Sequence, residues 1–535
     1  MVFHAIRRVY VLSAATVVAD APVAETLAAI VGVANVLTGH DDRRFYGSDI
    51  FRGGEVPVAV VLPGSVAEMQ DVVRVAARHR LPVTMRGGGA SYTDGYTHSR
   101  PGGITIGTDR LTAIKLDAAK NVVTVEPGVT WAALYETLKA AGLRTPFWGP
   151  FSGLAATVGG SISQNSISHG PGVSAESVVA LDIVTGTGEL LRTGSGGSAN
   201  GTPFFRNFGP DLTGLFTGDC GALGIKAAIT LKLVARHEAF AALSFSFASF
   251  AAMHGAMAEI AREGLDDENF GLDAALQQGQ IGRNDSISAK ADIAKSVMKS
   301  AGSVAGGLKS LAKMAVAGDR ALRSADYAVH YIADGVDQAS ADAKATAIRA
   351  IGRRHGTEIA NTVATIVRGM PFAPLTNILG PKGERWCALH GLFAHDAVTT
   401  FHDAISAFWE DNRSEMDAHG VYTGAMFMAV GGSAFVYEPA FYWPDARDIV
   451  HDRMVPADHL ATIESYPAAP AAAALVARLK HDVIDLMHAH GAAHLQIGKT
   501  YPYLTGRNPA SVALLRAIKA ELDPHDILNP GALGL

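Results

Sequence analysis

The sequence predicts an α+β fold of two lobes, one alternating short β-runs with helices and one built on an antiparallel sheet covered by helices. Three observations carry this reading. At 535 residues the chain exceeds what one hydrophobic core usually supports, and 48% hydrophobic residues can fill more than one. Residues 55–236 pass repeatedly from β-rich runs to helical ones. Residues 237–490 begin with Ala241, Leu243, Phe245 and Phe247 at period two, turn helical, and repeat that alternation near 385–390 and 425–430.

Taken in order, residues 1–54 form a helical lead-in whose periodicity runs through Val23, Leu27, Ile30 and Val31 and ends in a polar approach, 41–46. Residues 57–63 read as a strand between two prolines, and Ser65 opens a helical pattern that reaches His79. The apolar run 81–85 leads into Gly87, Gly88 and Gly89. A second strand–helix pair follows at 122–129 and 131–134, and further β-runs stand at 182–184 and 190–194. Residues 285–323 interrupt the second lobe with five lysines and two arginines against three aspartates. That spacing permits a basic amphipathic helix for an anionic membrane surface, or a solvated lid over the site.

Four glycine-punctuated segments stand out: 86–92, 157–161, 218–225 and 529–531. Glycine lets backbone N–H groups approach an anion closely, so a glycine triplet after an apolar strand makes a phosphate nest. The chain carries no Walker lysine and no Rossmann fingerprint in these segments.

The order and flanks of these segments resemble the PCMH-type FAD-binding fold of the vanillyl-alcohol oxidase superfamily, whose members include D-lactate dehydrogenase and glycolate oxidase subunits. The likeness runs from 57–92 through 122–134, 156–160, 182–194 and 211–225, and closes at 522–531. It implies an FAD-binding lobe at 55–236, a cap or substrate lobe at 237–490, and a C-terminal segment, 491–535, returning to the FAD lobe. It further implies an FAD-dependent oxidoreductase that takes a hydride from a small alcohol, hydroxy acid or phenolic compound, a dehydrogenase rather than an oxidase. A flavoprotein with a non-redox lyase or isomerase outcome is the alternative.

By the same resemblance the backbone of Arg86, Gly87, Gly88, Gly89, Ala90 and Ser91 meets the pyrophosphate, and Tyr92 belongs to the same cofactor site. Pro127, Gly128, Thr157, Gly159, Gly160, Ser163, Asn165 and Gly170 lie along the flavin, Gly224 and Ile225 hold the adenine side, and Asn529 belongs to the return segment. For Thr157 and Ser163, capping a local turn is the competing role. Ala90 stands where many relatives carry the histidine that bonds the flavin covalently. Noncovalent FAD is therefore expected, with another cap-lobe His or Tyr as the open alternative.

A second departure lies at 165–170. Serine replaces the acidic residue of the phenol-oxidising branch, which promotes His169 as a base with a neutral-range pKa, against a structural role. Read as a strand, 493–499 puts His494, Gln496 and Gly498 on one face. Gln496 then meets substrate, and Lys499 stabilises reduced flavin, clamps a carboxylate, or is a surface lysine. In the stiff aromatic stretch 437–445, Tyr442 is a catalytic candidate and Trp443 a substrate candidate alongside Trp386, with packing in the cap as the competing role. No metal is expected, because the metal-binding histidine run of some hydroxyacid dehydrogenase relatives has no counterpart here.

The formal net charge of −6 gives no electrostatic reason to bind nucleic acid. Two cysteines, Cys220 and Cys387, argue against a disulfide framework. No apolar run reaches the ~18 residues a membrane span needs. The stretch 7–21 imitates a secretory signal, but Tyr10, Ser13 and Thr16 interrupt it, and the expected location is cytoplasmic, with membrane contact through 285–323 left open. The electron acceptor stays open among a quinone, a cytochrome and O2, and a homodimer is compatible with the sequence.

Overall fold

The computed structural model describes residues 21–167, 170–277, 325–373, 375, 379–380 and 382–535. The signal-like stretch up to residue 20, His169 and the basic segment 285–323 lie outside these. Among the described residues, the first sheet holds β1 (Val36–Leu37), β2 (Ala59–Val61), β3 (Val83–Arg86) and β4 (Ile104–Gly107), with β4 parallel to both β2 and β3. Helix α1 (Val66–His79) connects β2 to β3. Its start is fixed by Ser65 Oγ, which accepts from Glu68 N, while Gly64 N donates to Glu68 Oε2. Met69, Val72, Val73 and Ala76 recur at helical spacing and are buried on the sheet.

The second sheet contains β5 (Ile114–Asp117), β6 (Val122–Val125), β8 (Val178–Val184), β9 (Leu190–Arg192) and β10 (Ile225–Lys232) in the order β5-β6-β10-β8-β9; β7 (Leu143–Arg144) pairs separately with β11 (Val234–Ala235). Helix α2 (Trp131–Ala140) buries Trp131, Leu134 and Leu138 against it. Short helix α3 (Val158–Gln164) carries the second glycine segment. The C-terminal segment packs back onto β3: Val83 N donates to Ile527 O (2.7 Å) and Asn529 N to Val83 O (2.8 Å).

The third sheet is antiparallel, in the order β15-β12-β14-β13-β18-β19-β16 with β17 on β19. Its strands are β12 (Ala239–Phe247), β13 (Glu268–Asp273), β14 (Tyr327–Gly335), β15 (Thr357–Ile359), β16 (Arg385–Ala388), β17 (Gly391–Phe393), β18 (Tyr422–Val430) and β19 (Ala434–Trp443). Helices α4 (Phe250–Arg262), α5 (Gln338–His355), α7 (Val398–Ala418) and α8 (Pro470–Ala489) share one apolar core with this sheet. On β19 the strand period of two then sorts the side chains. Phe435, Tyr437, Phe441 and Trp443 enter that core, whereas Glu438, Ala440 and Tyr442 line a cavity on the other side.

Helix α6 (Thr362–Gly369) lies on the cavity side. Arg368 pins it there through Glu268 (3.0 Å) and Asp334 (2.7 Å), all three side chains being buried. A buried guanidinium with two carboxylate partners makes a fixed latch, because removing one member strands the others without water.

Candidate functional site

A cavity of about 710 Å³ lies between the glycine loops and the third sheet. The loop after β3 forms one wall. Gly87, Gly88, Gly89, Ala90, Ser91 and Tyr92 all line it, and none of their backbone N–H groups donates to another described residue. Six undirected amides along one turn are an anion nest, and the backbone approach there is close enough to exclude side chains. A Cβ on Gly88 would strike the carbonyl of Ala155, and one on Gly87 the hydroxyl of Thr157. Of the three glycines only Gly89 has positive φ (70°).

Thr157, Gly159, Gly160, Ser163, Pro127, Gly224 and Ile225 also line the cavity. The first amides of α3 are taken by Val129 O, Pro127 O and Thr157 Oγ1, so Thr157 acts as a helix cap beside the cavity. Lys226 lines the same end and is paired with buried Asp219. This cradle fits FAD: the nest suits the pyrophosphate, and Ala90 offers no nucleophile at the cavity wall.

A polar cluster starts from Tyr92, the last residue of the nest. Tyr92 OH is 2.7 Å from His390 Nε2, Glu438 Oε2 is 3.3 Å from the same nitrogen, and Gln496 Nε2 is 3.4 Å from Tyr92 OH. Tyr92, Glu438 and Gln496 line the cavity, while His390 stands behind them. His390 is held by its backbone: its N–H donates to Tyr501 OH (2.6 Å) and its carbonyl contacts His494 Nδ1 (2.6 Å). Burial lowers the His390 pKa to about 3, with His494 adding to the effect, so the ring is neutral. Burial raises the Glu438 carboxyl to about 8 and holds the Tyr92 phenol well above its usual value, Glu438 reinforcing the latter.

Several expected residues lie elsewhere. Residues 493–499 are not a strand: Gln496 and Gly498 have positive φ (49° and 55°), and at Gly498 a Cβ would strike the carbonyl of Thr93. That turn aims Gln496 at the cavity and Lys499 away from it. Lys499 Nζ is bound to Thr97 O (2.9 Å), Asp94 O (3.3 Å) and Asn529 Oδ1 (2.5 Å), and burial lowers its pKa to about 8. It anchors the loop beyond the nest. Trp443 falls on the core parity of β19, while Tyr442 and its cross-strand partner Trp386 line the cavity.

The Arg86 side chain stacks over Phe45 (4.1 Å) and Tyr46 (4.9 Å) and lines no part of the cavity. Gly128, Asn165, Gly170 and Asn529 are likewise off it. Asn165 closes α3 and accepts from Ala175 N (3.2 Å); Asn529 Nδ2 donates to Gly95 O (2.7 Å) and Cys220 O (2.5 Å). Sequence reasoning missed His390, Glu438 and His330. The legible signal for Glu438 was a single carboxylate within an aromatic strand.

Residues 57–194 match the model of the FAD binding domain, and 470–533 match the C-terminal domain of FAD linked oxidases. An uncharacterised FAD-linked oxidoreductase of Mycobacterium tuberculosis is 31% identical over 245 residues, 44% of this chain and 51% of the relative. The mitochondrial D-lactate dehydrogenase [cytochrome] of Arabidopsis thaliana is 28% identical over 220 residues, 39% of this chain and 37% of the relative. The chain thus spans about half or less of these curated relatives. The solved 4-ethylphenol oxidase from Gulosibacter chungangensis shares the fold, with a TM-score of 0.68 at 16% identity, over 96% of this chain and 97% of that one. The chain thus carries an FAD binding domain and the C-terminal domain of FAD linked oxidases on the fold of the solved oxidase, and these support FAD as its cofactor.

Proposed function

We propose that this flavoprotein oxidises the CH–OH carbon of a small alcohol, hydroxy acid or phenolic substrate, as a dehydrogenase rather than an oxidase. The single observation that carries this is the Tyr92–His390–Glu438–Gln496 cluster, which lies at the cavity and starts from the last residue of the glycine nest. When bound, FAD supplies the hydride acceptor. The chain's residues handle the proton. With a neutral His390 ring donating at Nε2 to the Tyr92 oxygen, the Tyr92 O–H is left to donate to the substrate oxygen. Glu438, once ionised, takes the hydroxyl proton as the C–H bond breaks and a carbonyl forms. The dehydrogenase half of the reading is supported by the D-lactate dehydrogenase relative, named with cytochrome.

The test is an anaerobic screen of alcohols, hydroxy acids and phenols against the yellow holoprotein. Bleaching by one of these classes is expected. Product formation with the colour retained would instead establish the lyase or isomerase alternative.

FAD is held without a covalent bond in this reading, because Ala90 presents no nucleophile to the cavity. Acid precipitation should leave the yellow chromophore in the supernatant; a yellow pellet would place the anchor on another residue.

A further inference from the structure

The sheet wall of the cavity has a second polar end. His330 on β14 lines the cavity and is 1% exposed. Its Nδ1 contacts Ser244 Oγ (2.8 Å), and its Nε2 has no hydrogen-bond partner among the described residues. A buried ring nitrogen without a partner costs free energy unless something else meets it. Between His330 and Glu438 the strands β13 and β18 present Phe270, Leu272, Met426 and Met428 to the cavity, and the one amide beside them, Gln277, donates its Nε2 to Leu272 O (3.3 Å). Glu438 pairs with Met426, Met426 with Leu272, and His330 with Phe270. The two polar ends are therefore three strands apart and two residues out of register, a separation of roughly 15 Å.

The charge of the cavity adds an independent constraint. Among the described residues, Lys226 is its only lysine or arginine, and that ammonium is tied to Asp219. Burial lowers the His330 pKa to about 3, so the ring offers no positive charge either. A carboxylate placed on the apolar floor would lose its hydration with no counter-ion among the described residues to replace it.

We propose that the substrate is an elongated, uncharged molecule lying along this floor, its reacting carbinol at Tyr92 and Glu438 and a hydrogen-bonding group at its far end on His330 Nε2. The inference rests on the CH–OH reading above and narrows it, removing hydroxy acids from the substrate classes. His330 is a specificity residue remote from the reacting carbon. It sets affinity, and its loss leaves the chemical step unchanged.

Terminal decanediol is a suitable probe, because its two oxygens stand about 14 Å apart when extended. Decanol lacks the far hydroxyl, and hydroxydecanoate replaces it with a carboxylate. Apparent Kd and limiting rate are read separately from the concentration dependence of anaerobic bleaching of the holoprotein. The diol is expected to bind about tenfold tighter than decanol, and hydroxydecanoate more weakly than either. His330→Leu should erase the diol's advantage, with limiting rates and decanol affinity kept. Met428→Phe tests the floor independently by shortening it, and should shift preference towards shorter alcohols. Equal binding of diol and decanol by the parent, equal losses for both in His330→Leu, or tight binding of hydroxydecanoate would overturn the inference. So would a yellow acid pellet that His330→Leu turns colourless, since His330 would then be the flavin's anchor. Failure of every alcohol to bleach the flavin would overturn the CH–OH reading beneath it as well.

Discussion

Purified Gly88→Val protein is expected to be colourless. The residue stands in the turn after β3, where a Cβ would run into the carbonyl of Ala155. That obstacle is backbone, which no rotamer change relieves. The loop must therefore move away from the 155–157 segment, and the six amides of Gly87 to Tyr92 lose their common focus. Glycine is needed here for close approach rather than for conformation, since Gly88 itself does not adopt positive φ. Losing the nest should weaken FAD retention by about 10²-fold or more, the equivalent of ~3 kcal/mol. The measurement is the ratio of visible to ultraviolet absorbance after desalting, with circular dichroism confirming that the sheets persist. Full flavin occupancy in folded Gly88→Val protein would mean that the pyrophosphate lies elsewhere.

The glycine nest was legible in sequence because a close backbone approach excludes every side chain, and that exclusion is written directly as glycine. Helix α1 was legible for a similar reason: Ser65, Glu68 and the spacing of Met69, Val72, Val73 and Ala76 are local signals. The polar cluster is different. Tyr92, His390, Glu438 and Gln496 come from distant segments, and only the pairing of β19 with its neighbours and the fold of the loops bring them together. Parity within β19 assigns Tyr442 to the cavity and Trp443 to the core, but choosing the correct parity requires knowing which face the helices cover. Lys499 failed as a candidate because two positive-φ residues, Gln496 and Gly498, break the alternation assumed for 493–499. Positive φ at a glutamine leaves little trace in sequence.

Glu438→Gln should slow anaerobic flavin reduction by roughly 10²-fold or more, the usual contribution of a positioned base. Burial in the cavity wall keeps the carboxyl protonated up to about pH 8. The basic form therefore grows as pH rises through that value, and the parent's reduction rate should climb and level off above it. Glutamine preserves shape and a hydrogen bond to the cluster but cannot take a proton, so its residual rate should be flat across the same range. Stability supplies a second readout with the opposite sign. An unfolded glutamate ionises near pH 4.5 while the folded one holds its proton to about 8, so the folded state binds the extra proton in that window. The contribution of Glu438 to stability is then complete below pH 4.5, declines as pH rises, and is lost by about pH 8. Melting temperatures of the Glu438→Gln variant should lack this component while its flavin content stays at the parental level. Tyr92→Phe separates the neighbouring role: it removes the hydroxyl that receives the substrate yet leaves the carboxyl, so reduction should slow with the rise near pH 8 retained. Reduction by Glu438→Gln at the parental rate, with the parental pH profile, would remove Glu438 as the proton acceptor and leave the FAD cradle, which stands on other residues, untouched.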